Sequence, residues 1–166
     1  MENNIFYMKN SLKIRKANEF DLENLNNLNS KSFKALTKRL DFLNFFNKKN
    51  YEIIVAAKEK SIVGYLLSLN VTENIYEIIS IAVGSYYRKK GIASLLMSDF
   101  LGNKKVNSKI ILEVANKNKV AIKLYKNFLF DIDGIRKDYY KDPIDDAILM
   151  SKIIWHYKFN PGSESS

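Results

Sequence analysis

The order of hydrophobic patterns along this 166-residue chain predicts a single-domain α/β fold. Its sheet should be mixed, mostly antiparallel and twisted, with about four flanking helices. Two observations carry this. Three strand-like runs follow one another across 52–83, and runs joined by short turns pair antiparallel. Beyond them strand-like and helical periodicities alternate, which brings a crossover into the same sheet. No internal repeat or interior linker interrupts the pattern.

The elements follow in order. Residues 1–11 read as an N-terminal tail, 12–154 as the folded domain and 155–166 as a C-terminal tail. Pro161-Gly162-Ser163-Glu164-Ser165-Ser166 has the composition of a disordered end. Leu12-Lys13-Ile14-Arg15 alternates apolar and basic residues and suits a first strand. Asn18 is placed to cap the next helix, with Asp21 at the third helical position in a capping-box arrangement, and Phe20, Leu22, Leu25 and Leu28 supply apolar positions. A second helix is expected over 33–46, with Leu36, Leu40, Leu43 and Phe46 at its apolar positions. Strands are expected over 52–57 and 62–71, joined at Glu59-Lys60-Ser61, and over 77–83. A helix should carry Leu95, Leu96 and Phe100. It is followed by a strand over 109–114, a helix over Lys119–Asn127 and closing strands over 128–132 and 147–153.

Composition narrows the chemistry. The chain has no cysteine, so disulfides, thiolate metal sites and a cysteine nucleophile are excluded. Its one histidine, His156, lies in the C-terminal tail, so neither a histidine triad nor a multi-histidine metal site is expected. The start, Met1-Glu2-Asn3-Asn4, lacks the basic and apolar regions of a signal peptide. No apolar run approaches the roughly 20 residues that span a bilayer. A cytoplasmic protein with no membrane association is the expectation. The net charge of +9 admits two readings: attraction to a polyanion or phosphorylated cofactor, or a chain simply rich in scattered lysine. It gives no direct support for nucleic-acid binding.

Arg88-Lys89-Lys90-Gly91-Ile92-Ala93 lies between a strand ending near Val83 and the start of a helix. A helix N-terminus offers unpaired amides and the positive end of the dipole, which suits a pyrophosphate. Gly91 permits close backbone approach, Ala93 is nearly as small, and three cations add complementarity. The sequence is neither a P-loop nor the dinucleotide fingerprint. A basic turn with one glycine is by itself a common feature.

The flanks make it specific. Ser80-Ile81-Ala82-Val83, then Tyr87-Arg88-x-x-Gly91-Ile92-Ala93-x-x-Leu96, resembles motif A of the GNAT N-acetyltransferases. That resemblance implies acetyl-CoA as co-substrate. The turn Arg88, Lys89, Lys90, Gly91, Ile92 and Ala93 would hold its pyrophosphate, and Ile81, Ala82 and Val83 would lie along the pantetheine and thioester. Downstream, Leu112-Glu113-Val114, Asn118, Ala121-Ile122, Leu124-Tyr125, Phe130, Arg136, Tyr139-Tyr140 and Asp146-Ala147 are similar to the subgroup that acetylates protein N-termini, the ribosomal-protein-alanine acetyltransferases and their archaeal counterparts. The implied acceptor is a protein or peptide N-terminus, ribosomal or nascent chains included, and no metal is required.

Acetyl transfer to an amine needs a base for the ammonium proton and an acid for the departing thiolate. Glu113, set in the otherwise apolar run Ile110-Ile111-Leu112-Glu113-Val114, is the candidate base; the alternative is an outward-facing strand glutamate. Tyr125 is the candidate acid, against the alternative of a core aromatic. Glu77 is a second candidate base: it opens the strand that carries Ile81, where the resemblance implies a residue close to the attacking amine. Asn118 would hydrogen-bond the pantetheine amides or simply cap a helix. Tyr139 and Tyr140 correspond to the tyrosine pair that covers the peptide, and the segment around Phe33 to the other wall. That segment departs from the subgroup by lacking its proline and following aromatic, and Ala115 stands where the subgroup commonly has arginine.

Two other functions stay open at this level. One is acetylation of a small amine, such as a polyamine or aminoglycoside, or of a lysine side chain. The other is a non-catalytic acyl-CoA-binding or ribosome-docking module.

Overall fold

The computed structural model describes residues 12–33 and 40–155. Seven strands form one sheet: β1 (Leu12–Lys16), β2 (Tyr51–Lys58), β3 (Ser61–Thr72), β4 (Ile75–Val83), β5 (Lys109–Ala115), β6 (Asp131–Lys141) and β7 (Ile144–Ile153). Among the described residues four α-helices accompany them: α1 (Leu22–Ser32), α2 (Phe42–Phe46), α3 (Ile92–Gly102) and α4 (Lys119–Asn127). The strand order is β1-β2-β3-β4-β5-β7-β6, and every neighbouring pair is antiparallel except β4–β5. This is the mixed, mostly antiparallel sheet that the patterns predict.

Alternation along the strands divides the core between two faces. Ile54, Leu66, Ile78, Ile110, Leu112, Ile148 and Met150 pack with Leu96, Met97, Phe100 and Tyr125 of α3 and α4. Val55, Tyr65, Leu67 and Ala82 pack with Leu25, Leu28 and Phe42 of α1 and α2. Gly64 lets α3 lie close to the sheet: a Cβ there would meet Ile92 Cγ2 at 3.1 Å and the Ala82 carbonyl oxygen at 3.2 Å.

Several local expectations need correction. Asn18 and Asp21 do form a capping box, but it closes a single 3-10 turn, Glu19–Asp21, and α1 begins only at Leu22. That geometry turns Phe20 outward, 95% exposed, so it is not a core position. Residues 34–39 of the helix expected over 33–46 lie outside the described residues; its described end is α2, whose N-cap Asp41 accepts a hydrogen bond from the Asn44 amide. Phe33 is extended, and of the residues assigned to that helix Leu36 lies outside the described ones. The expected strand over 128–132 begins at Asp131 and runs on to Lys141, because Phe128 caps α4 and Leu129 adopts φ +60° in the turn after it. Both tail expectations fall almost wholly outside the described residues, His156 among them.

The feature that shapes the site lies between β4 and β5. In the β3–β4 ladder Leu67 faces Ser80 whereas Ser68 faces Ile78, so Ile79 is an extra residue, a β-bulge. Bulges bend a strand and increase its twist. The parallel pairing of β4 with β5 runs from Ile75–Lys109 to Ile78–Leu112 and stops at the bulge. Beyond it β4 continues to Val83 against β3, and β5 continues to Ala115 against β7. The two strands splay, and their facing edges from Ile79 and from Glu113 onward carry backbone groups with no partner across the wedge.

Candidate active site

The wedge has a cofactor-like end and an acid–base end. At the first, Arg88 through Gly91 connect β4 to α3. Gly91 sits at φ +80° as the N-cap of α3, and Lys89 is also left-handed at φ +59°. A left-handed backbone costs a non-glycine residue roughly 1–2 kcal/mol, so glycine at 91 answers a conformational need. Space over Gly91 is open, with no atom within 4 Å of where a Cβ would stand. No side chain caps α3, so its first-turn amides point free toward that space. Arg88 Nε donates to the Val83 carbonyl at 3.1 Å, which ties the turn to the strand end. Lys90 lies 5.5 Å over the Tyr87 ring. Among the described residues none of Arg88, Lys89 and Lys90 is in an ion pair. A cradle of free amides, positive dipole and unpaired cations fits a pyrophosphate.

The acid–base end begins with Glu113, the first β5 residue past the last β4 pairing. Because Leu112 and Val114 enter the α3–α4 core, alternation turns Glu113 to the other face of the sheet. The same argument places Glu77 and Ile111 there, since Ile78 is in the core and Glu77 registers with Ile111. Arg136 of β6 reaches this face two strands away: it pairs with Ala147 of β7, which pairs with Ala115. Its Nη1 lies 2.7 Å from Glu113 Oε1 in an ion pair, with the carboxylate 24% and the guanidinium 55% exposed.

The tyrosine pair completes this end. Tyr139 and Tyr140 meet edge to face at 5.1 Å, and the Arg136 guanidinium lies 5.7 Å from the Tyr139 ring. Hydrogen bonding to the Glu113 carboxylate, followed by that group's charge, raises the Tyr139 phenol above its ordinary pKa; the charge of Glu77 adds to the effect. Burial raises Tyr140, with the Glu113 charge next. Thus Glu77, Glu113, Arg136, Tyr139 and Tyr140 form one electrostatic neighbourhood.

Tyr125 enters from α4 on the opposite face of the sheet. It is 5% exposed, and its ring packs 5.8 Å from Phe130. Burial holds its phenol proton far above the usual pKa, and the nearby Tyr140 adds to this. Its hydroxyl has no hydrogen-bond partner among the described residues. A buried phenol whose hydroxyl has no partner can donate to a group brought within its reach.

The sequence-derived candidates therefore divide. Glu113, Glu77, Tyr139 and Tyr140 come together, and Tyr125 approaches them through Tyr140. Ile81, Ala82 and Val83 lie on the wedge edge of β4, with Ala82 buried toward α1 and Ile81 and Val83 packed toward α3. Asn118 is the N-cap of α4, its Oδ1 accepting from the Ala121 amide at 3.1 Å, so the capping alternative describes that oxygen. Phe33 is the C-cap of α1 and is partly exposed. The partnership of Arg136 with Glu113 had no signal in sequence, because 23 residues and two strand registers separate the pair. No cluster of His, Asp or Glu able to hold a metal occurs among the described residues, and no described helix is long and apolar enough to cross a membrane.

Comparison with known proteins agrees with this geometry. Residues 20–130 match the model of the acetyltransferase (GNAT) family. The chain is 27% identical over 146 residues to a putative [ribosomal protein bS18]-alanine N-acetyltransferase of Bacillus subtilis, covering 86% of this chain and 96% of that one. It is 28% identical over 153 residues to an N-alpha-acetyltransferase of Saccharolobus solfataricus, covering 84% and 91%. A shorter match, 38% over 80 residues, covers 46% of this chain but only 21% of an uncharacterized Mycobacterium leprae protein. Among solved structures, the ribosomal-protein-S18-alanine N-acetyltransferase of Escherichia coli superposes with a TM-score of 0.76 at 21% identity, over 90% of this chain and 97% of that one. NAA60 of Arabidopsis thaliana in complex with acetyl-CoA superposes at 0.73 and 21%, over 86% and 98%. With a splayed β4–β5 pair, a glycine-capped basic turn and a family match across most of the folded core, the chain belongs to the GNAT acetyltransferase family.

Proposed function

We propose that this protein transfers an acetyl group from acetyl-CoA directly to the N-terminal α-amine of a protein or peptide. The observation that carries the reading is the pairing, at one wedge, of an open glycine-capped basic turn with the Glu113–Arg136–Tyr139 group. Support for the acceptor class comes from the two curated relatives, named for alanine N-acetylation of a ribosomal protein and for N-alpha-acetylation. The binding of acetyl-CoA by NAA60 supports the cofactor.

Acetyl-CoA supplies the activated acyl group. The amides of Ile92 and Ala93, with Arg88, Lys89, Lys90 and Gly91, hold its pyrophosphate, and the unpaired edge of β4 at 81–83 bonds its amide-bearing arm. Glu113 takes the ammonium proton, directly or through one water, so that the neutral nitrogen attacks the thioester carbonyl. As the C–N bond forms and the C–S bond breaks, Tyr125 donates its phenol proton to the departing sulfur, the nitrogen releases its second proton to water, and the phenolate takes a proton back from solvent. Burial keeps that proton in place at neutral pH. Tyr139 and Tyr140 form the peptide-facing wall, with Phe33 opposite, and Glu77 adds a second carboxylate near the arriving cation.

Incubation with acetyl-CoA and a panel of short peptides, read by mass spectrometry, tests the proposal. The acetyl group is expected on the α-amine. Turnover of spermidine with none of any peptide would replace this reading with a small-amine acetyltransferase. Acyl-CoA binding without turnover of any amine would leave a binding module.

A further inference from the structure

Tyr65 heads the fully buried side chains by volume, at 0% exposure, yet its hydroxyl is not left among apolar atoms. It donates to Asn29 Oδ1 at 2.7 Å and lies 3.0 Å from Ser80 Oγ. A phenol has one proton. With that proton committed to Asn29, the Ser80 hydroxyl must be the donor to Tyr65 Oη. The result is a directed chain, Ser80 to Tyr65 to Asn29, that runs from β4 through β3 to α1. Burial pushes the Tyr65 phenol up to about 12, partly offset by Ser80, so the chain keeps its proton at neutral pH.

The ring makes a third connection. It meets Phe42, the first residue of α2, edge-on at 5.2 Å and 82°. One side chain thus touches the last turns of α1, the start of α2 and the bulged part of β4. Ser80 lies between Ile79, the bulge residue, and Ile81 on the wedge edge. Asn29 is one turn before Phe33, and its carbonyl accepts the Phe33 amide at 3.0 Å.

Packing alone does not call for this arrangement. Phenylalanine would fill nearly the same volume without a hydroxyl to desolvate. A fully satisfied buried network contributes direction and distance that an apolar contact lacks. We propose that Tyr65 is a positioning residue that fixes the acceptor wall at Phe33 relative to the thioester-bearing edge of β4, and thereby sets acceptor binding. The proposal rests on the acetyl-transfer reading of the wedge given above.

Tyr65→Phe keeps the ring and its Phe42 contact and removes only Oη. The expected result is an acceptor KM raised about fivefold, the size of one neutral hydrogen bond, with kcat and the acetyl-CoA dissociation constant within about twofold of the parent. Ser80→Ala leaves the Tyr65–Asn29 bond in place and should raise KM in the same direction by less. A lowered melting temperature with acceptor KM unchanged in both variants would overturn the proposal, because the network would then serve stability alone. A parallel loss of acetyl-CoA affinity would overturn it too, by placing the network behind the cofactor edge. Should Tyr65→Phe fail to fold, Ser80→Ala decides by the same comparison. If the parent protein acetylates some amine other than a peptide N-terminus, only the acceptor reading fails, and the same KM split measured on that amine decides the role of Tyr65.

Discussion

Replacing Glu113 by Gln separates what this residue does for the fold from what it does for the reaction. In the fold Glu113 forms an ion pair with Arg136, and both groups are in contact with solvent, the guanidinium more than half exposed. Pairs of that kind contribute about 0–1 kcal/mol. Glutamine keeps the shape and can still accept from Arg136, so the melting temperature should fall by no more than a few degrees. For the reaction the loss is of another size. A positioned base contributes about 10²–10⁴ in rate, or roughly 3–5 kcal/mol of activation free energy. We expect kcat to fall at least 10²-fold while the acetyl-CoA dissociation constant, set at the far end of the wedge, stays within about twofold. A peptide α-amine has a pKa near 8, so about one molecule in ten is already neutral at pH 7. The defect should therefore narrow as pH is raised toward 9, where solvent supplies the neutral amine. Steady-state thiol release across pH 6–9, with thermal unfolding and calorimetric acetyl-CoA titration of the same samples, measures all three quantities. A kcat within about threefold of the parent would refute the assignment and direct attention to Glu77. A pH-independent defect with a large loss of stability would show that the ion pair, not proton transfer, was the function of Glu113.

Three further outcomes follow from the same geometry. Tyr125→Phe should lower kcat about 10²-fold with little change in acetyl-CoA affinity, and the parent rate should show no basic limb from this phenol below about pH 10, because burial raises its pKa; a basic limb lost in Tyr125→Phe would contradict this. Gly91→Ala meets no steric obstacle but must adopt φ +80°, a cost of roughly 1–2 kcal/mol, so acetyl-CoA affinity should weaken about 5–30-fold with an unchanged circular dichroism spectrum, and an unchanged affinity would remove Gly91 from the cofactor turn. Tyr65 titrates near 12 in the folded protein against about 10 when unfolded, so stability is intact below pH 10 and declines as pH rises from there; melting temperatures between pH 8 and 12 should fall in the parent and fall less steeply in Tyr65→Phe.

What was legible in the sequence was what is local. The span of α4 could be read to the residue because Asn118 caps it and Ile122 and Tyr125 repeat at helical spacing. The turn before α3 was legible only with its flanks, the strand Ser80–Val83 before it and Leu96 after it, because a basic turn with one glycine is common by itself. Strands β2 to β5 were legible because they are buried on one or both faces. Strand β6 was not, and the reason is its position at the sheet edge. Its residues are nearly all exposed, and irregular registers between Ile132 and Gly134 and between Arg136 and Tyr140 break the alternation. Apolar spacing over 33–46 gave no weight to Asp41, whose side chain caps the start of α2, nor to Phe33, which is extended. Long-range pairs leave no local pattern at all. Tyr65 reaches Asn29 across 36 positions and Ser80 across 15, and it takes the register of β3 with β4 and the packing of α1 on that face to bring them together.

The modest strength of the Glu113–Arg136 pair bears on how such a base operates. A carboxylate sealed in the apolar body of β5 without a partner would be costly, and one locked in a buried bidentate pair would release its cation only at the expense of several kcal/mol. Here the carboxylate sits in a partly exposed ion pair with Arg136, and that guanidinium also lies over the Tyr139 ring. An arriving ammonium can take over the carboxylate while Arg136 keeps its contact with the aromatic face, a contact worth about 0.5–1 kcal/mol at an exposed site. One positive partner is exchanged for another, and the local charge balance of the wedge changes little. The bulge at Ile79 makes this exchange possible by ending the β4–β5 ladder one residue before Glu113. Had the ladder continued, β4 would occupy the space through which the amine must approach, and Glu113 would be an ordinary surface carboxylate in an ion pair.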